Sequence, residues 1–250
     1  MKLSFVIPCY NEELNLQKGV LDKVGNYVNN NVDISEVIIV DDGSTDSSPI
    51  IIKNEYLPKF SKFRLIENKH GGKALAVITG IRESKGTHVV FLDMDLATPI
   101  EETRKMISQF KQGAQIVIGS RQGRRQGAPL LRQIQSKGFV IIRDILIDLQ
   151  GVTDTQCGFK GFSSEAALKI LDRFRVFTPE RRVTGASVSA GFDLEFLYLA
   201  RKLGFAIVEV PVEWRHVETK RVNFIKDSFE TLSDIGRIKL YELTGKYTIQ

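Results

Sequence analysis

Cysteine is scarce in this chain, which has two in 250 residues, Cys9 and Cys157. Two isolated thiols cannot staple a small disulfide-dependent scaffold, and no charged-then-apolar leader precedes the first apolar run, so both are expected to be reduced in a cytosol. Long uncharged apolar runs are missing as well. None approaches the roughly 18 residues of a membrane-crossing helix, so no span is expected. The three histidines, His70, His88 and His216, are too scattered to make a zinc cluster. His88 is expected to pack inside its apolar run. No G-x-G-x-x-G follows the first apolar run, which removes the usual dinucleotide fingerprint. Aromatic-rich strand motifs and zinc-ligand spacings are also lacking, and the net charge of +5 is mild, so nucleic acid is not an expected partner.

With 42% hydrophobic residues over 250 positions the chain can bury a full core. No linker, repeat or low-complexity tract divides it. Three continuous apolar runs stand out, Leu3–Pro8, Glu36–Val40 and Thr87–Leu92, and each leads into polar or acidic residues. Such runs predict strands covered on both faces, hence an α/β fold with a mainly parallel central sheet flanked by helices. Ligands of open parallel sheets bind outside the carboxyl ends of the strands. Pro8 to Glu12, Asp41 to Asp46 and Asp93 to Asp95 are therefore expected to converge on one crevice.

Asp93-Met94-Asp95 carries the most chemistry. Two carboxylates one residue apart at a strand end can share a divalent cation, Mg²⁺ or Mn²⁺, which binds oxygen ligands and bridges phosphates. Asp41-Asp42-Gly43-Ser44 pairs acids with a glycine that admits close backbone approach. Gly71-Gly72-Lys73 opens a helical pattern in the manner of an anion-binding helix start, although the P-loop spacing is not met.

In order and spacing, Pro8-Cys9-Tyr10-Asn11-Glu12-Glu13, Asp41-Asp42-Gly43-Ser44-Thr45-Asp46, Asp93-Met94-Asp95 and Gly119-Ser120-Arg121 resemble the inverting family 2 glycosyltransferases with the GT-A fold. Asp154-Thr155-Gln156-Cys157-Gly158-Phe159-Lys160-Gly161-Phe162 is similar to the dolichyl-phosphate β-glucosyltransferases within that family, with the mannose synthases close behind. The resemblance implies a single GT-A domain over residues 1–222 followed by an amphipathic helical extension over 223–250. It also implies transfer of a hexose from a nucleotide diphosphate sugar, foremost UDP-glucose, to a polyprenyl phosphate. Pro8, Tyr10, Glu12, Asp41, Asp42, Gly43, Lys73, Asp93, Met94, Arg215 and Lys220 are then the expected nucleotide-sugar contacts, and Asp93 and Asp95 the metal ligands. Arg121 with Arg132 is expected to hold the acceptor phosphate. Asp193 corresponds to the region where relatives that glycosylate hydroxyls place a general base. Two departures stand out: Ala97 replaces a polar side chain of many mannosyl relatives, and Glu218-Thr219 replaces Gly-Ser in the segment around His216.

A polyprenyl acceptor calls for membrane contact. Two amphipathic stretches are available, one with Leu130, Ile134, Ile141, Ile145 and Leu149 on a stripe, the other with Ile225, Phe229, Leu232 and Ile235 on one side. The expected location is the cytosolic face of a membrane, held peripherally, through a membrane-protein partner, or as a homo-oligomer. Competing readings are a GDP-mannose-dependent synthase, a family 2 transferase acting on a sugar hydroxyl, and a non-catalytic nucleotide-sugar-binding module.

Overall fold

A computed structural model describes residues 1–121, 142–149, 151–178, 190–215 and 224–248. Seven strands form one sheet: β1 (Leu3–Cys9), β2 (Ile34–Asp41), β3 (Phe63–Glu67), β4 (His88–Phe91), β5 (Ile116–Ser120), β6 (Lys160–Ser163) and β7 (Ile207–Pro211), in the order β3-β2-β1-β4-β6-β5-β7. All neighbours are parallel except β6, which runs antiparallel to both β4 and β5. The three apolar runs become β1, β2 and β4, side by side. The chain reverses its order of strands on either side of β1, which opens a crevice at their carboxyl ends.

Alternation along each strand feeds two cores. Val6, Ile38, Val40, Val89, Phe91, Ile116 and Ile118 face one side, while Phe5, Ile7, Val37, Ile39, Val90 and Val117 face the other. The first side is covered by the helices Lys73–Arg82, Ser164–Leu171, Ala190–Lys202 and Phe224–Leu243, and the second by Val20–Asn29 and Thr103–Lys111. Each helix is fixed by a stripe of local sequence. In Val20–Asn29, Val20, Leu21, Val24 and Val28 are buried at helical spacing. In Ser164–Leu171 the Ser163 hydroxyl caps the start by accepting from the Ala166 N–H at 3.2 Å.

Two expectations about amphipathic faces need correction. Ile235 is fully buried with Ile238, whereas Phe229 and Leu232 are 70% and 37% exposed, so these residues do not share a side. The helix buries Thr231, Asp234, Ile235 and Ile238, and its outward stripe is Phe229, Leu232, Leu240 and Leu243. Likewise Ile145 is exposed while Leu149 is buried, because the helix over 142–147 ends before Asp148, whose φ of 44° turns the chain away. Leu130, Ile134 and Ile141 lie outside the described residues. Among the described residues, no helix is long and apolar enough to cross a membrane.

Candidate active site

The carboxyl end of β2 sets the first wall. Asp41, 3% exposed, accepts from the N–H groups of Gly43 and Ser44 at 3.2 and 3.1 Å. Asp42, 2% exposed, accepts from the N–H groups of Gly71 and Gly72, both at 2.8 Å. His70 Nδ1 stands 2.9 Å from the same carboxylate, and the His70 ring stacks on Tyr10 with centroids 4.4 Å apart. Gly43 takes φ of +72°, and a Cβ there would meet the His70 backbone nitrogen at 2.9 Å. Glycine is thus required for both its backbone angle and its size. In this arrangement the Asp42 carboxylate and the two glycine N–H groups, each assigned from the sequence to the incoming nucleotide, are engaged with one another. They clamp the 68–72 loop against the end of β2.

Beyond that loop, Lys73 begins its helix and forms an ion pair with Asp93. Burial would lower the pKa of the Lys73 ammonium, but the charge of Asp93, with Asp193 and Asp95 behind it, raises it above the ordinary lysine value. The other Asp93 oxygen abuts Gly158, where an added Cβ would lie only 2.0 Å away. Asp95 accepts from the Ala97 N–H at 3.0 Å. Its pKa is raised by burial, which outweighs that hydrogen bond, and the Asp93 charge adds to the rise. Met94 is buried between them, and Glu12 is near enough for its charge to reach Asp95. Pro8 is partly exposed at the end of β1. Arg215 reaches this turn from beyond β7 through its N–H, which donates to the Ala97 carbonyl at 2.7 Å, while its side chain is 71% exposed. The strand ends expected to converge do so.

The far wall comes from β5, β6 and the helix Ala190–Lys202. Asp193, in the first turn of that helix, pairs with Lys160 of β6 at 2.9 Å, and the Lys160 side chain is 1% exposed. Burial raises the Asp193 pKa against the pull of Lys160. Arg121 forms a two-pronged pair with Asp154, Nε and a terminal nitrogen each 2.7 Å from a carboxylate oxygen, and stacks over Trp214 at 5.7 Å. The fork that the sequence assigned to an acceptor phosphate therefore already holds a carboxylate. Asp154 is kept in place from β7, where Glu209 accepts from the N–H groups of Thr153 and Asp154 at 2.8 and 3.0 Å. Arg132, His216 and Lys220 lie outside the described residues.

Sequence reasoning passed over Lys160, Asp154 and Glu209 as site residues. Lys160 left a signal, a charge in a strand otherwise made mostly of buried positions; Asp154 and Glu209 left none of that kind, since Asp154 lies in the loop before β6 and β7 is only partly buried. β6 itself is too short, and too rich in glycine, for its period to be read.

Among the described residues, no group of three or more His, Cys, Asp or Glu forms a ready metal cage. Two carboxylates at a strand end nevertheless suit Mg²⁺ or Mn²⁺, which keep waters and take their remaining ligands from substrate phosphates. The donor set fits such an ion.

Residues 4–171 match the family described as glycosyl transferase family 2. A dolichyl-phosphate beta-glucosyltransferase of Dictyostelium discoideum is 33% identical over 265 residues, covering 99% of this chain and 77% of the relative. The dolichyl-phosphate beta-glucosyltransferase ALG5A of Trichomonas vaginalis is 31% identical, covering 99% and 76%. Among solved structures, glucosyl-3-phosphoglycerate synthase from Mycobacterium tuberculosis, in complex with Mn²⁺, UDP and glucosyl-3-phosphoglycerate, superposes with a TM-score of 0.66 at 19% identity, covering 95% of this chain and 79% of that one. The architecture is the GT-A fold of these enzymes, as the strand motifs led one to expect. The chain belongs to glycosyl transferase family 2.

Proposed function

We propose that this glycosyltransferase moves glucose from UDP-glucose to dolichyl phosphate or a related polyprenyl phosphate, with inversion at the anomeric carbon. The observation that carries the reading is the meeting of Asp93, Asp95 and Lys73 at the crevice of a family 2 chain that matches dolichyl-phosphate beta-glucosyltransferases over 99% of its own length. Asp93 and Asp95 would hold Mg²⁺ or Mn²⁺, which supplies charge to stabilise the departing diphosphate. Lys73 and Arg215 add positive charge to the same leaving group. Pro8, Tyr10, Glu12, Asp41, Gly43 and Met94 line the nucleotide side, and Asp42 acts there by holding the 68–72 loop.

The acceptor phosphate is largely dianionic near neutral pH, its second pKa being about 6, so its oxygen can attack without first losing a proton to the enzyme. That oxygen forms the new bond to the anomeric carbon as the bond to UDP breaks on the opposite face. An α-linked donor yields a β-linked lipid phosphate sugar. Asp193, neutralised by Lys160, orients rather than deprotonates. Arg121, braced by Asp154, keeps one edge of its guanidinium for the acceptor phosphate. Arg132 and Lys220 are assigned to the acceptor and donor phosphates from the sequence resemblance alone.

Peripheral contact with the cytosolic face of a membrane is assigned to the outward stripe Phe229, Leu232, Leu240 and Leu243, together with Ile142 and Ile145. Incubation with labelled UDP-glucose, GDP-mannose or UDP-GlcNAc, each with dolichyl phosphate, tests donor and acceptor together. Label should enter the lipid phase only from UDP-glucose, cease in EDTA and return with Mn²⁺. Transfer from GDP-mannose alone would identify the mannose synthase instead.

A further inference from the structure

Lys73 is paired with one of the two carboxylates expected to hold the metal. Its ammonium is paired with one oxygen of Asp93 while the other oxygen backs onto Gly158, so a cation that takes Asp93 must compete with Lys73 for the carboxylate. Lys73 is also the first residue of its helix, where the macrodipole disfavours a cation. Of the other carboxylates whose charge it feels, Asp193 is already paired with Lys160, and Asp95 is the second expected metal ligand. If a divalent cation displaced Lys73 with no nucleotide present, it would strand an ammonium at a helix start.

From this the geometry points to Lys73 as a resident stand-in for the metal: it neutralises Asp93 in the empty enzyme and moves onto the donor diphosphate as the divalent cation takes Asp93. Metal and nucleotide sugar then enter as a coupled pair, and neither is held well alone. The inference rests on the metal-dependent reading above. It adds that the absence of tight metal binding in the free enzyme is built in by one side chain. By linkage, whatever nucleotide does for metal affinity the metal must do equally for nucleotide, typically five- to 150-fold.

Mn²⁺ binding to the full chain, followed by electron paramagnetic resonance or calorimetry with and without UDP, tests this without turnover. Wild type should bind Mn²⁺ weakly alone and at least tenfold more tightly with UDP, the scale of a typical coupling. Lys73→Met should tighten Mn²⁺ alone by about tenfold and weaken UDP alone, shifts of opposite sign that a loss of folding does not produce. Lys73→Gln is the second variant should the first fold poorly. Lys69→Met, which removes a nearby exposed charge and no Asp93 contact, controls for general electrostatics and should leave Mn²⁺ affinity within about twofold at physiological salt. Equal shifts in the Lys73 and Lys69 variants, or none in either, overturn the inference while leaving the proposed function standing. Absence of Mn²⁺ binding in every variant, with UDP present, overturns both.

Discussion

The two walls of the crevice hold their carboxylates in different ways. At the end of β2, Asp41 and Asp42 accept hydrogen bonds from the backbone of Gly43, Ser44, Gly71 and Gly72. Across the sheet, Asp193 is held by the side chain of Lys160, and Asp154 chiefly by the Arg121 guanidinium, with the Arg121 N–H adding a backbone donor at 3.0 Å. Backbone donors cannot swing away by a rotamer change, so the first wall changes shape only if the 68–72 loop itself moves. Long cationic side chains can exchange partners, and for the Arg121 fork a phosphate is the natural competitor. Rigid recognition on one wall and exchangeable charge on the other suit an enzyme that must grip a nucleotide yet pass a sugar between two phosphates. The Asp93–Lys73 pair stands between the walls and belongs to the second kind.

Asp95→Asn should have the largest effect, cutting transfer by about 10³-fold, the scale of losing one electrostatic stabiliser of a transition state. The melting temperature should stay within about a degree or two, because the carboxylate is partly exposed and, among the described residues, braces the Ala97 turn alone. Retention of activity would remove metal chemistry from the Asp93–Asp95 turn between the walls.

Asp42→Ala comes next and tests the rigid wall. It leaves the Gly71 and Gly72 N–H groups without their charged acceptor, at a cost of about 3 kcal/mol, read as a shift in the urea midpoint. An unchanged midpoint would mean that the loop is held by something other than this carboxylate.

On the exchangeable wall, Arg121→Lys should raise the acceptor KM about tenfold and the donor KM much less, since lysine cannot keep the Asp154 fork and offer a further edge. Equal changes in both would place Arg121 outside the acceptor site. Asp193→Asn should lower thermal stability, because Lys160 keeps its charge without a charged partner, yet transfer below the melting point should fall less than about tenfold. A general base would instead be worth 10²- to 10⁴-fold, so a thousand-fold loss would favour a hydroxyl acceptor.

The smallest effect concerns Glu195, on the same helix as Asp193. Its buried carboxylate accepts from the N–H groups of Arg175, Val176 and Phe177 and from the Tyr247 hydroxyl at 2.6 Å. Burial still raises its pKa above the ordinary glutamate value, despite Tyr247 and those backbone donors. The folded state then holds this proton more tightly than the unfolded chain. That contribution to stability is complete below the ordinary value, about 4.3, and is lost as pH rises through the elevated one. Urea midpoints across that window should decline in wild type and flatten in Glu195→Gln; identical slopes would show that Glu195 titrates normally.

The sequence by itself determined the strands β1, β2 and β4 and the arrival of Glu12, Asp41 and Asp93 at one crevice, because doubly buried strands write continuous apolar runs and their ends are marked by acids. It also carried the family, whose motifs hold their order over most of the chain. Only the tertiary structure decided who pairs with whom. That Asp42 faces Gly71 and Gly72, that Asp154 takes the Arg121 fork, and that Lys160 neutralises Asp193 are contacts across 29 to 33 positions of chain or reached through a four-residue antiparallel strand. No local period encodes such distances. A carboxylate's role depends on the charge folded against it, and that charge is set by sheet order rather than by its neighbours in sequence.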